Sequence, residues 1–378
     1  MKRVALTARQ DGSKDALKKA AAIQPQLVVV FASPSFWRDK GAISDACTLK
    51  DVHVVGCSTA GEISGAGAAD DTCSVMAIRF DNAEVKVAAA QLASAEMSQE
   101  AGKSIGDALK ESRLRAIFTL APGLHVDGSA FAAGISGAAG GKVLVTGGLA
   151  GDGMSFKNTF TMLNGMVFPN LAVAFGLYGE HLSVNCGTRC GWKPFGLARR
   201  VTKSVANILY ELDGKPALQL YQRYLGDLAA ALPASGLLYP FSVLREDGKE
   251  TGIVRSVIEV NPADGSMTLV GDLAQGSIVR LMYADPDLLI DSAAQAGKEA
   301  VNGSKGPSVS LLVSCAGRRL AMGDDAGAEI DAAMGSAGAD SLCAGFYSYG
   351  DIAPAAGPAR ADVHGQSITV THIGEIAP

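Results

Sequence analysis

TGGLAGD, residues 146–152, ends a short apolar run with glycine and an acid, and the chain does this twice more: GCSTAGE at 56–62 and YSYGD at 347–351. Each ending is preceded by the same plan. Before the first, Leu27 to Phe31 and Asp51 to Gly56 are short apolar strands. Before the second, Arg115 to Leu120 predicts a strand, and Gly128 to Ala139 a helix of small residues with Asp127 placed to cap it. Val143 to Val145 then returns as a strand. Before the third, Val309 to Cys315 and Leu342 to Phe346 are strands around a helix at Ala326 to Met334. Three segments of one plan predict a duplicated unit. The fold class is α/β, with two domains of mixed and antiparallel sheets with helices, built from repeated strand-helix-strand-hairpin units.

Other segments fill the gaps. Asp15 to Ile23 is an amphipathic helix. Ser74 to Phe80 and Glu84 to Ala90 alternate and are split by Asp81-Asn82-Ala83, which predicts a hairpin. Thr159 to Leu163, Asn170 to Leu177 and Leu182 to Cys186 read as antiparallel strands, with Asn164-Gly165 and Gly179-Glu180 as turns. Different material follows the second copy: a helix at Pro216 to Tyr224, a hairpin across 261–265, and a helix at Asp287 to Val301. A domain boundary is expected between 205 and 215, giving domains 1–208 and 209–378.

The 378 residues are 48% hydrophobic and 19% charged, with a net charge of −5. That is globular composition with apolar material for a core. No basic block marks a nucleic-acid surface. The start lacks an apolar segment of the secretory kind, and the longest apolar run is far too short to span a membrane. Seven scattered cysteines suit free thiols in a reducing compartment. The cytoplasm is the expected location.

SGAAGGKV at 136–143 lacks the first glycine and final hydroxyl of a phosphate loop, and GAGAAD at 65–70 lacks the third glycine of a dinucleotide fingerprint. GCSTA at 56–60 nearly reads as a nucleophile elbow, which makes a hydrolase using Ser58 the alternative function. The glycines that follow cannot launch the helix an elbow needs. His181, Cys186 and Cys190 lack a second pair of zinc ligands and read as small thiols beside a turn. The acids Glu62, Asp152 and Asp351 sit where open α/β sheets bind ligands, although a glycine-acid pair is also a good bend. His53 lies in an apolar strand. His364 and His372 share parity with Ile368 and Val370, so an extended strand places all four on one face.

The remaining motifs carry a resemblance. VVGCSTAGEI at 54–63, GGLAGDG at 147–153, GWKP at 191–194 and Val201-Thr202 resemble the N-terminal FIST domain. ELDGKPA at 211–217, Tyr221, Leu225-Gly226, GSIVRLM at 276–282, CAGR at 315–318 and AGFYSYGDIAP at 344–354 resemble the C-terminal one. The family usually shows Gly-Glu where Gly350-Asp351 stands, and a His-Asn pair where His364-Gly365 stands. The resemblance implies a sensory module without catalysis, coupled to a separate histidine kinase, cyclic-di-GMP enzyme or chemotaxis protein. It implies either haem sensing nitric oxide or an amino-acid-like metabolite. For haem, His364 is the first candidate ligand and His53 the second. The ligand contacts expected from these motifs are Cys57, Ser58, Thr59, Glu62, Asp152, Cys315, Arg318, Tyr347, Tyr349 and Asp351.

Overall fold

The computed structural model describes residues 1–9, 13–38, 51–304, 306–355 and 360–376. Three units of one topology make up most of it. The first runs β1 (Lys2–Ala8), α1 (Ser13–Ala21), β2 (Leu27–Ala32), α2 (Ser35–Arg38), β3 (His53–Ser58), β4 (Glu62–Ser64), β5 (Gly67–Ala69) and β6 (Cys73–Arg79). The second runs β7 (Glu84–Gln91), α3 (Ser98–Leu109), β8 (Leu114–Ala121), α4 (Gly128–Ala139), β9 (Leu144–Leu149), β10 (Thr161–Leu163), β11 (Met166–Phe168) and β12 (Leu171–Tyr178). The third opens with β13 (Leu182–Arg189) and is then interrupted by an inserted sheet. The insert comprises β14 (Lys193–Val205), β15 (Ile208–Leu212), β16 (Lys215–Pro216), α5 (Ala217–Leu225), β17 (Phe241–Leu244), β18 (Glu250–Arg255), β19 (Val257–Asn261), β20 (Ser266–Leu269) and β21 (Ile278–Tyr283). The unit resumes with α6 (Pro286–Val301), β22 (Ser308–Cys315), α7 (Ala316–Met322), α8 (Ala326–Met334), β23 (Ser341–Ser348), β24 (Gly350–Pro354), β25 (Ala361–His364) and β26 (Ile368–Glu375).

Each unit builds a six-stranded sheet around one parallel pair: β2 with β3, β8 with β9, β22 with β23. Such pairs are buried on both faces, which is why these strands read as largely apolar runs. No unit completes its sheet alone. The hairpin β4–β5 leaves the first unit to pair with β23, β24–β25 leaves the third to pair with β9, and β10–β11 leaves the second to pair with β3. The exchange is cyclic, and the three glycine-acid bends are where the chain sets out across.

The sequence shows why the parallel strands can sit so closely. A Cβ on Gly56 would lie 2.4 Å from Val30 O, on Gly147 1.9 Å from Thr119 O, and on Gly345 2.0 Å from Leu312 O. One glycine per parallel pair therefore faces a neighbouring carbonyl. Between the sheets, Phe31 of the first unit stacks on Phe346 of the third at 4.8 Å. Phe118 and Phe175 of the second join the same buried cluster. Burying each such ring is worth about 1.5–3 kcal/mol.

Asp127 caps α4 as expected, accepting from Ala130 N at 2.9 Å. Three sequence expectations change. Strands stand at both sides of Asp81-Asn82-Ala83, but they do not pair: β6 joins β1 and β2, and β7 joins β12. The linker is held by the third unit instead, because Glu375 accepts from Asp81 N and Asn82 N at 2.9 and 2.7 Å. Gly179-Glu180 likewise passes the chain from β12 to β13, in another sheet. His364 and His372 do not share a strand face, since a turn with Gln366 at φ +62° separates β25 from β26. Asn164-Gly165 and the loop 261–265 do form hairpins.

The division expected at 208/209 falls inside β15, after its first residue; β15 pairs with β14, and β13 pairs with β26. Among the described residues no helix is long and apolar enough to cross a membrane. Gly345→Ala is expected to lower unfolding stability by about 1–3 kcal/mol, since its methyl group must displace backbone. A denaturant melt with an unchanged midpoint would contradict the close approach.

Candidate functional site

The third unit, the second unit and the insert meet around a cavity of about 90 Å³. The second unit contributes the start of α4 at Gly128, Leu149 at the end of β9, and Phe156 from the loop that follows. The third contributes Cys315–Gly317 at the junction of β22 with α7, Ser348 and Tyr349 at the end of β23, and Val363 and Gly365. The insert adds Asn207, Ser256, Ile258, Leu269 and Gly271. The cavity thus opens at the carboxyl ends of parallel strands, the usual ligand position in α/β sheets.

Most of the wall is apolar, and none of the residues lining it carries a charge. Its polar groups are few. Ser348 Oγ is fully buried and has no hydrogen-bond partner. Gln366 Oε1, behind Gly317, also lacks one, while its Nε2 donates to Leu237 O and Ser256 Oγ at 2.6 and 2.8 Å. Asn207 is held by donating to Leu269 O at 3.0 Å. The Cys315 thiol is pushed up to about 11 by burial, so it stays protonated near neutral pH and makes a poor nucleophile. Outside the wall, Arg255 is 3% exposed and donates from Nε to Asp272 O at 2.8 Å and from Nη1 to Val363 O at 3.3 Å.

Of the contacts expected from the sequence, the structure brings Cys315 and Tyr349 to this cavity. The others are occupied in the framework. Cys57 lies in the central cluster. Ser58 Oγ donates to Gly151 O at 2.7 Å and accepts from Phe160 N at 2.8 Å, and the next element is a strand, so it does not form an elbow. Glu62 is bonded to Thr59 and accepts from Ser33 Oγ at 2.9 Å, Thr72 N at 3.0 Å and Thr72 Oγ1 at 2.8 Å. Asp351 accepts from Ser367 and Thr369, with burial raising its pKa and His364 opposing. Asp152 orders the loop after it. Arg318 is fully buried on Glu329, Leu289 O and Ser292, and Tyr347 reaches the same Glu329 at 3.3 Å.

The histidines stand apart from the cavity. His364 is buried with Nε2 3.3 Å from Ala353 O, and the cavity is lined by its neighbours Val363 and Gly365 instead. His53 is at the far end of β3 from the strand ends. Drug-sized pockets begin near roughly 300 Å³. A space of 90 Å³ without a facing histidine does not fit a haem. Ser348 and the insert residues were missed from sequence. Ser348 stands inside a quoted motif, but only the fold shows that its hydroxyl is unpaired.

Comparisons with known proteins bear on these residues. A stretch of 173 residues, 41% of the chain, is 29% identical to an uncharacterized protein of Methanocaldococcus jannaschii, and the chain spans about a third of that relative's length, 32%. A solved cyanuric acid hydrolase from A. caulinodans aligns over 100% of this chain and 99% of that one, at 9% identity and a TM-score of 0.37, too distant to bear on activity. Residues 26–215 match the model of the FIST N domain, and residues 217–354 that of the FIST C domain.

Two predictions follow from the titratable groups. Burial pushes Glu62 up to about 7, above its ordinary 4.5. The native state then holds the proton more tightly than the unfolded one, so stability falls as pH rises from about 4.5 through 7, by about 3 kcal/mol. Glu62→Gln is expected to flatten that slope in melts between pH 5 and 8. Titration with haem is expected to give no histidine-ligated Soret band, and a band lost in His364→Ala would contradict the reading of that residue as framework.

Proposed function

The chain belongs to the FIST family, and from that footing we propose that it is a sensor whose ligand, a small uncharged metabolite, sits in the cavity beside Ser348. FIST domains are sensory domains of signal transduction, which supports detection rather than turnover. The observation that carries the proposal is the Ser348 hydroxyl. A buried hydroxyl without a partner costs about 1–3 kcal/mol, and a ligand that pairs with it recovers that cost. The apolar wall favours a molecule that is largely hydrocarbon with one or two hydrogen-bonding atoms. At about 10–15 Å³ of such space per water, only a small molecule is accommodated.

The chemistry of the wall also ranks the alternatives. A free amino acid would bring an ammonium and a carboxylate to a surface with no countercharge, and unpaired charges are costly to bury. An amino-acid-derived neutral compound suits it better. Occupancy would stiffen the contact between the second unit, the third unit and the insert. A separate signalling protein, such as a histidine kinase, a cyclic-di-GMP enzyme or a chemotaxis protein, would read that change.

Ser348→Ala tests the proposal. The ligand-free variant is expected to melt at the wild-type temperature or slightly above it, because no bond is lost. Retention of the small molecule that co-purifies with the wild type, measured by mass spectrometry after native desalting, is expected to fall by about 2–12-fold, equivalent to one neutral hydrogen bond of 0.5–1.5 kcal/mol. A lower melting temperature together with unchanged retention would assign Ser348 to the framework and end the proposal.

A further inference from the structure

The three units differ at one place that bears directly on the cavity. Between the second parallel strand and the exchanged strand, the first unit has only Thr59–Gly61 and the third only Tyr349, whereas the second has Ala150–Phe160. This longer loop places Phe156 over the cavity. The Phe156 ring stacks on Tyr349 with centroids 4.5 Å apart and planes 12° apart. Both rings line the cavity, yet Phe156 is 39% exposed, so its other face meets solvent.

The loop has its own fastening. Asp152 is 3% exposed and its carboxylate accepts from Phe156 N at 2.8 Å, Lys157 N at 2.8 Å and Asn158 N at 2.7 Å. The Tyr349 hydroxyl donates to the same carboxylate and approaches Gly153 O at 3.0 Å. Phe156 itself has φ +52°, a conformation that a residue with a Cβ rarely adopts. The bonds to Asp152 hold it there. A strained aromatic on an exposed loop, fastened to the far wall of a cavity through one hydroxyl, has the parts of a gate.

We propose that residues 151–158 are the gate of the ligand cavity, with the Phe156–Tyr349 ring pair as the leaf that a ligand must part and the Asp152–Tyr349 hydrogen bond as its latch. A ligand entering here separates the second unit's loop from the third unit's Tyr349, so gate position and signal share one contact. Tyr349 is thus a residue of the entrance as well as of the wall. The inference rests on the cavity being the ligand site, but gate opening can be measured without any ligand.

Cys315 lines the cavity and reports access. Methyl methanethiosulfonate converts a thiolate that it reaches to the methyl disulfide and releases methanesulfinate. Because the Cys315 thiol is pushed up to about 11, the full chain is exposed to this reagent at one fixed alkaline pH, so that every variant reacts through the same small thiolate fraction, and modification of Cys315 is followed by peptide mass spectrometry. Cys57, fully buried in the central cluster, is followed in the same samples as a measure of global unfolding. Tyr349→Phe and Phe156→Ala are expected to speed modification of Cys315 by about tenfold, the scale of one hydrogen bond to a charged group, with Cys57 unchanged. Met154→Ala, in the same loop but outside the wall, is expected to leave both rates as in the wild type. Unchanged Cys315 rates in both gate variants, or a rise matched by Cys57, would overturn the gate. Ligand retention lost in Ser348→Ala alongside an unchanged Cys315 rate in the gate variants would keep the site and remove the gate.

Discussion

Each of the three sheets is finished by a strand pair borrowed from another unit, and the rest of the molecule depends on that exchange. Main-chain hydrogen bonds that a unit would otherwise leave open at the edge of β3, β9 or β23 are met by β10, β24 and β4. The arrangement binds the units more firmly than side-chain contact alone, because separating them would bare backbone as well as apolar surface. It also brings the carboxyl ends of the parallel strands together, and the bends that follow them become the interface. Buried carboxylates at two of these bends, Glu62 and Asp351, are satisfied by hydroxyls from their own unit, namely Ser33, Thr59 and Thr72 for one, Ser367 and Thr369 for the other.

The cavity is a departure from that repetition. In the first unit the corresponding space is taken up by framework bonds, with Ser58 tied at both its donor and acceptor sides. In the third, Ser348 is left unpaired, and the insert supplies a wall that the other two units lack. The cavity thus lies where one copy carries an inserted sheet and another a longer loop.

Much of this was legible in the chain. The parallel strands showed as apolar runs, the capped helix at Asp127 as a capping residue before small residues, and the repeat as three glycine-acid endings. Partner choice was not legible. Ser74 to Phe80 and Glu84 to Ala90 alternate like a hairpin, and nothing local says that Glu375, far along the chain, will hold the turn between them. The acids at the bends attracted attention as ligand contacts because a carboxylate is chemically conspicuous. Their hydroxyl partners are spread along the sequence and cannot be assigned to them before folding. Ser348, between two tyrosines, was inconspicuous for the opposite reason: its hydroxyl is distinguished by a bond it does not make.

The exchange has a cost in time. Glu62 must wait for Phe346, so during synthesis β4 leaves the ribosome long before its partner β23 exists. Contacts so distant along the chain fold slowly and leave strand edges open meanwhile. β4 and β5 are short, only three residues each, which gives a nascent chain little exposed edge to pair wrongly. The brevity of the borrowed strands therefore protects the chain while it is still being made.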